Sequence, residues 1–361
     1  LVRLEKWPAS LSATSTHDTK RSEDVRARIH VLSEIPRAWR DAVSRWRRWN
    51  RRHLSDVEGR PAPDRNDEYL LYQTLVGTWP LLPPSPEEAV AFVSRIQQYM
   101  FKAAREAKLH TSWVNPNDAY DEALRSFVAK ILAPGPGNRF LADFAVFHPP
   151  VARLGMVNSL AQTLLKITAP GVPDFYQGTE VWDFSLVDPD NRRPVDFSAR
   201  VTLLADLRER IATGDLGAAA RELLSHWEDG RVKMYVIHRG LECRRRRPEL
   251  FRAGDYLPLP TGGAGGDHVL AFARRHATAV VVTVIPRLTA ALTGEGTRLP
   301  VGPDVWRDAW VELPPGCPAT SYTDVFTGAV ATVTANGGRR LRVGTLLADL
   351  PVALLESGPD P

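Results

Sequence analysis

Cysteine is scarce: Cys243 and Cys317 are two isolated thiols in 361 residues, too few for a disulfide-dense scaffold and without the close spacing of a metal site. Unpaired thiols of this kind suit a reducing, cytoplasmic compartment. Long hydrophobic runs are missing as well. The most apolar stretch, residues 277–286, is too short to span a bilayer, includes Thr278 and Thr283, and reads as a buried strand, so no membrane association is expected. Neither sign of charge dominates, since 46 Lys and Arg against 42 Asp and Glu leave only +4. Whole-chain electrostatics therefore give no reason to expect nucleic acid as a partner. HExxH, CxxC, GxSxG and dinucleotide fingerprints do not occur, and the nine histidines form no ligand series, so no metal site is expected. Gly262-Gly263-Ala264-Gly265-Gly266 lacks the lysine and hydroxyl residue of a phosphate-binding loop. The opening Leu1-Val2-Arg3-Leu4-Glu5-Lys6 has neither an initiating methionine nor the apolar core of a signal peptide.

What is present is a chain with 43% hydrophobic and 24% charged residues, enough for more than one domain-sized core. Residues 11–16 read as a short strand. Ser22-Glu23-Asp24 offers a helix cap and acidic first turn ahead of Val25, Ile29 and Leu32 at helical spacing. Pro36 predicts a break before a second helix over 37–50, where Trp39, Trp46 and Trp49 read as packing residues. Further helices are predicted over 68–75, 87–107, 119–132 and 154–165, with 140–147 a helix or buried segment ended by Pro149-Pro150. Residues 198–211, 218–227 and 231–247 are helical in pattern, and Arg244-Arg245-Arg246-Arg247 reads as a solvated helix end. From Phe251 onward the texture changes to short apolar runs and turns. Strands over 268–273, 279–284 and 321–334 predict an antiparallel terminal domain.

The chemistry that survives is carboxylate-based. Ser15-Thr16-His17-Asp18-Thr19-Lys20-Arg21 sets an acid in a polar cluster directly after an extended stretch. A negative Asp18 would stabilise positive charge developing at an anomeric carbon, with His17 holding a substrate hydroxyl. The competing reading is a structural ion pair from Asp18 to Arg21. His110-Thr111-Ser112-Trp113-Val114-Asn115-Pro116-Asn117 sets hydroxyls and amides around a ring, as a sugar-binding wall does, or else is a turn covering a core tryptophan. Pro173-Asp174-Phe175-Tyr176-Gln177-Gly178-Thr179-Glu180 bends sharply and either presents polar groups to a cleft or spends them on its own backbone. The mixed charges of 183–196 predict internal ion pairing that fastens a loop, the alternative being directional hydrogen bonds to sugar hydroxyls.

The segment Thr16-His17-Asp18-Thr19-Lys20-Arg21-Ser22-Glu23-Asp24-Val25-Arg26-Ala27-Arg28 resembles the maltooligosyltrehalose synthases, isomerases of the α-amylase superfamily. The segments around Trp113 and Tyr176, with Pro63-Asp64-Arg65-Asn66-Asp67-Glu68-Tyr69 and Asp188-Pro189-Asp190-Asn191-Arg192-Arg193-Pro194-Val195-Asp196-Phe197, carry the same resemblance through most of the chain. It implies an α/β plus β fold: the C-terminal part of a (β/α)8 TIM barrel over 1–250 with a helical insertion at about 25–150, then an antiparallel β-sandwich over 251–361. Residues 11–16 would be the seventh barrel strand, and the segment entering Pro173 the eighth.

That resemblance implies Asp18 as the superfamily's third carboxylate, the stabiliser of the distorted sugar, and His17, Lys20, Arg21, Trp113, Asn115, Tyr176, Gln177 and Arg192 as substrate-binding residues. It implies no cofactor. The implied reaction is intramolecular transglucosylation, turning the reducing-end α-1,4 linkage of a maltooligosaccharide into the α,α-1,1 linkage of maltooligosyltrehalose. The family's aspartate nucleophile and glutamate acid/base match no residue here and are expected upstream of Leu1, so the chain is read as having lost its beginning and as inactive alone. Partners implied are the maltooligosaccharide, the upstream part of the barrel, and functional coupling to a trehalose-releasing hydrolase. The alternatives are an α-glucan hydrolase or debranching enzyme of the same superfamily, or a non-catalytic carbohydrate-binding fragment.

Overall fold

A computed structural model describes residues 2–317, 319–335 and 338–357. The first half of the chain is mainly helical: α1 (Val2–Lys6), β1 (Leu11–Ala13), α2 (Glu23–Val31), α3 (Pro36–Asn50), β2 (Ser55–Val57), β3 (Arg60–Ala62), α4 (Arg65–Thr78), α5 (Pro86–Ala107), α6 (Asp118–Leu132), α7 (Arg139–Thr168) and β4 (Val172–Asp174). The second half passes through α8 (Phe197–Ala212), α9 (Leu216–Ser225), α10 (Arg231–Arg246) and α11 (Pro248–Ala253) into strands. These are β5 (Asp255–Leu259), β6 (Thr261–Gly262), β7 (Val269–His276), β8 (Ala279–Pro286), α12 (Pro303–Trp306), β9 (Trp310–Glu312), β10 (Ser321–Asp324), β11 (Val330–Thr332), β12 (Arg340–Arg342), α13 (Val343–Leu346) and β13 (Ala353–Ser357). Two units divide the chain: one is Leu1–Thr16, Met156–Asp183 and Pro194–Pro361, the other His17–Gly155 and Phe184–Arg193.

In the first unit β1 and β4 pair in parallel, with Leu11 opposite Val172 and Ala13 opposite Asp174. Among the described residues this is one parallel pair, and no barrel closes around it. The strand expected over 11–16 keeps only three residues, because Thr14 onward leaves the pairing partner. The terminal strands form a six-stranded antiparallel sheet in the order β11, β10, β13, β8, β7, β5 and a three-stranded one in the order β12, β9, β6. Both contribute to a single core, in which Val280, Val282 and Leu355 join Val311, Leu341 and Trp306. Nearly every residue of β8 is buried, as its unbroken apolar run requires of a strand covered on both faces. Residues 321–334 are a hairpin rather than one strand, since Asp324 turns the chain by accepting the backbone N–H of Phe326. The arginines of 244–247 are not a solvated end. Arg244 donates to the carbonyls of Ile167 and Gly171, and Arg246 and Arg247 both bind Glu356; Arg245, with 81% of its side chain exposed, approaches Glu242 at 3.9 Å. Cys243 and Cys317 are free and buried.

The second unit is a helical array about an aromatic core. Trp46, fully buried, meets Trp39, Tyr72, Phe140, Phe144 and Phe147 with ring centroids 5.3–5.7 Å apart, and its indole N–H donates to Asp143 at 2.7 Å. The helix α5 begins with a full capping box between Ser85 and Glu88, and Asp64 caps α4 through the N–H groups of Asn66 and Asp67. Ser22 sits at the N-cap of α2 without a side-chain cap bond. The break expected at Pro149-Pro150 does not occur: α7 runs through both prolines. The carbonyls that lose their partners there are those of Ala145 and Val146, both exposed residues, so water can replace the missing N–H groups. Among the described residues no helix is long and apolar enough to cross a membrane.

Candidate active site

The turn that carries His17 and Asp18 lies four and five residues beyond the last residue of β1, and both side chains are exposed. Its conformation is set by a strap formed from residues 184–193. Ser22 N–H donates to Ser185 C=O at 2.9 Å, Arg21 bridges Leu186 in antiparallel fashion, and Val187 N–H donates to Lys20 C=O at 3.1 Å. Asn191 completes the strap by donating its amide to His17 C=O at 2.6 Å. Asp18 makes no ion pair with Arg21 among the described residues. The Arg21 guanidinium donates instead to Thr74 Oγ1 at 3.1 Å, while its Nε is buried without a partner.

The strap is itself anchored to α5 by charge. Asp190, with 9% of its side chain exposed, receives Nε and Nη2 of Arg95 at 2.8 and 2.9 Å and the N–H of Leu186 at 2.8 Å. Burial works to raise its carboxyl, but the Arg95 bonds and charge hold it below the usual carboxylate range. Two turns further along α5, Lys102 donates to Asp188 C=O at 2.7 Å and approaches Glu106 at 3.7 Å. Glu106 in turn binds Lys20 at 2.9 Å, and that hydrogen bond raises the Lys20 ammonium. Arg192 forms an ion pair with Asp188 while leaving 63% of its side chain in solvent. The ion pairing expected of residues 183–196 is therefore present, and it fixes Lys20, Arg192 and the His17-Asp18 turn in one neighbourhood.

Trp113 and Asn115 occupy the link between α5 and α6. Trp113 is 54% exposed, edge-on to Phe101 at 5.8 Å and beneath the Arg105 guanidinium at 5.1 Å, so it covers no core. Asn115 closes a tight turn with Ser112, its N–H donating to Ser112 Oγ at 2.8 Å. This link is pinned by His110, whose Nε2 meets Asp64 at 2.9 Å and whose ring stacks on Tyr120 at 4.6 Å. The Asp64–His110 contact joins residues 46 apart, so no local sequence pattern announced it.

Two further groups escaped sequence reading. Arg28 is 2% exposed, lies 3.6 Å over the ring of Phe184 at the start of the strap, and donates to the carbonyls of Gly77 and Trp79 at 3.2 and 2.7 Å. Burial lowers it to about 9, which leaves it protonated at neutral pH, and burial followed by Arg28's charge keeps the nearby His148 neutral.

In the first unit, Tyr176 and Gln177 follow β4. Tyr176 is half-buried, and its carbonyl receives Thr179 N–H and Oγ1 at 3.1 and 2.7 Å; Gln177 is exposed. Glu180 is held by Arg200 Nε at 3.0 Å, and the same guanidinium donates to Gly178 C=O at 2.8 Å. Lys166, 5% exposed on α7, donates to Thr14 Oγ1 at 2.8 Å and lies 3.8 Å over the ring of Phe175. It thus ties the segments leaving β1 and β4 to one helix. A lone lysine in the run Leu164-Leu165-Lys166-Ile167 was the available signal for it. The nine predicted residues are thus divided, with His17, Asp18, Lys20, Arg21, Trp113, Asn115 and Arg192 in the second unit and Tyr176 and Gln177 in the first. Among the described residues no group of three or more His, Cys, Asp or Glu could hold a metal ion.

No protein-family profile matches the chain. It is similar to putative maltooligosyl trehalose synthases from two strains of Mycobacterium tuberculosis, each 38% identical over 354 residues, which is 98% of this chain and 38% of theirs. The solved maltooligosyltrehalose synthase of Arthrobacter ramosus superposes with a TM-score of 0.74 at 35% identity, covering 99% of this chain and 39% of that one. A hypothetical maltooligosyl trehalose synthase of Sulfolobus tokodaii superposes with a TM-score of 0.66 at 31% identity over 96% of this chain and 38% of that one. The chain spans well under half the length of these relatives, and over that span it belongs to the maltooligosyltrehalose synthase family.

Proposed function

We propose that this chain supplies the C-terminal part of a (β/α)8 catalytic barrel in an enzyme that isomerises maltooligosaccharides to maltooligosyltrehalose. The observation that carries the reading is the parallel pairing of β1 with β4, because the segments bearing His17-Asp18 and Tyr176-Gln177 leave the same ends of adjacent strands. Reactive groups of such barrels gather at strand C-termini. In this reading residues 1–250 belong to the barrel, with a helical insertion over about 25–150, and residues 251–361 form a C-terminal β-domain. The two free, buried cysteines accord with a reducing, cytoplasmic setting.

Asp18 is the third carboxylate of the reaction, exposed and without an ion pair to Arg21, so its charge is available to a substrate. An aspartate from the upstream part of the barrel attacks C1 of the penultimate glucose, while an upstream glutamic acid protonates O4 of the departing reducing-end glucose. Positive charge developing on the ring oxygen and C1 is offset by Asp18. The freed glucose stays bound and turns. Its C1 hydroxyl gives its proton to the glutamate and displaces the aspartate, forming the α,α-1,1 bond. Water must be excluded meanwhile, since its attack would release glucose. His17, Lys20, Arg21, Trp113, Asn115 and Arg192, and in the other unit Tyr176 and Gln177, are assigned to holding sugar hydroxyls or a sugar face. Of these, Arg21 is the most committed to its own scaffold.

The test is product separation after incubation with maltopentaose. The full-length protein is expected to form maltooligosyltrehalose, and Asp18→Asn to lower turnover at saturating substrate by roughly a hundredfold or more while the melting temperature is kept. Glucose as the main product would assign a hydrolase instead. Robust isomerisation by the 361-residue chain alone would refute the need for upstream carboxylates.

A further inference from the structure

The second unit contains a groove of about 870 Å³ that the proposed reaction does not use. It lies between α3, the β2–β3 hairpin and the start of α4, and five arginines line it: Arg40, Arg47, Arg48, Arg51 and Arg65. The one acid in its lining, Glu68, is already spent, receiving Arg47 Nε at 3.1 Å and the hydroxyl of Tyr72 at 2.7 Å with 5% of its side chain exposed. Arg48, Arg51 and Arg65 have no ion pair within 4 Å among the described residues, and Arg40 only grazes Asp41 at 4.0 Å. The groove therefore carries as much net positive charge as the whole chain, whose formal charge is +4.

Helix electrostatics explain only part of this. Arg47, Arg48 and Arg51 lie at the C-terminal end of α3, where the dipole favours cations, although Arg47 and Arg51 repel each other at i,i+4. Arg65, however, is the first residue of α4, where the dipole opposes a cation, and Arg40 lies in the first half of α3. Cations gathered from both favourable and unfavourable helix positions onto one concavity point to an anion. Between these arginines the lining offers Tyr69, 40% exposed, whose hydroxyl accepts the Trp39 indole N–H at 2.9 Å, and Val43. A cavity of this volume suits a small molecule, and guanidinium forks match phosphate oxygens in pairs.

We propose that this groove binds a phosphorylated small molecule carrying at least two negative charges, its phosphates on Arg48, Arg51 and Arg65 and its organic part against Tyr69. The site is distinct from the sugar-binding residues assigned above and does not depend on that assignment.

Titration calorimetry on the full-length protein, with inorganic pyrophosphate as the probe and glucose 6-phosphate and adenosine diphosphate as further arms, tests it. Saturable binding that weakens with salt is expected. The double variant Arg48→Ala, Arg51→Ala should lose affinity by roughly tenfold or more, whereas Arg252→Ala, an exposed arginine paired with Glu249, should not. The two sugar and nucleotide arms separate the sources of the phosphate, and Tyr69→Ala should weaken whichever of them binds without affecting pyrophosphate. The proposal is overturned if pyrophosphate gives no saturable signal, if both arginine variants lose equally, or if a single-stranded oligonucleotide binds with an affinity that exceeds pyrophosphate and rises with its length.

Discussion

Asn191 donates its side-chain amide to the carbonyl of His17 at 2.6 Å, so a residue 174 positions away orients the turn that carries Asp18. The bond is exposed, and its removal in Asn191→Ala should cost less than about 1.5 kcal/mol of stability. Its effect on turnover should be larger, roughly ten- to a hundredfold in the full-length protein, because a small displacement of a charge-stabilising group is costly. Unfolding curves and kcat on maltopentaose measure the two effects. Unchanged kcat would mean that the turn holds its geometry without the strap.

The anchor beneath that strap should be worth more. Asp190→Asn keeps the acceptor for Leu186 N–H but leaves Arg95 with one half of its bidentate partner, in a site largely closed to solvent. A loss of about 3 kcal/mol is expected in urea unfolding. Because the Asp190 carboxyl is held low in the folded state, its contribution is full above the ordinary carboxylate range and fades as pH falls through the folded value. The difference between wild type and Asp190→Asn should therefore shrink on acidification; a difference constant with pH would place the anchor elsewhere.

Asp324 behaves in the opposite sense. Burial pushes it up to about 6, against hydrogen bonds from Thr327 Oγ1 at 2.7 Å and from the N–H groups of Phe326 and Leu354 at 3.2 Å. A raised carboxyl binds its proton more tightly in the folded protein, so this group stabilises below the unfolded value near 4 and loses that contribution as pH rises to about 6. Asp324→Asn should remove this slope, which amounts to about 3 kcal/mol at most. Stability curves taken at pH 4, 5, 6 and 7 would show it, and an identical slope in the variant would assign the titration to another group.

Gly155 on α7 packs against α2 so closely that a β-carbon would stand 2.5 Å from Arg28 Cγ and 2.9 Å from Arg28 Cα. Gly155→Ala should destabilise by about 1–3 kcal/mol although alanine favours the helix intrinsically. A rise in melting temperature would contradict the close approach of the two helices.

Much of the scaffold could be read from local pattern. The helices expected over 87–107 and 119–132 are α5 and α6 to within a residue, whereas the one expected over 68–75 extends at both ends, to Arg65–Thr78, with Asp64 as its cap. The break before Pro36 and the buried run of β8 were equally legible. The prolines of α7 misled because a lost hydrogen bond ends a helix only where nothing replaces it, and exposure to water depends on tertiary position. Arg244 and Arg247 misled for a related reason: a charged run looks solvated until distant carbonyls and Glu356 are folded onto it.

For the candidate site the division is similar. The residue types around Asp18, Trp113 and Arg192, and the family they resemble, were fixed by the sequence alone, because motif identity is a property of neighbours along the chain. Which of their charges are committed was not. Arg21 turns to Thr74, Lys20 to Glu106 and Asp190 to Arg95, and those pairings, like the arginine groove hidden within a nearly balanced total charge, exist only once residues far apart in sequence share a neighbourhood where desolvation and distance decide which charges meet.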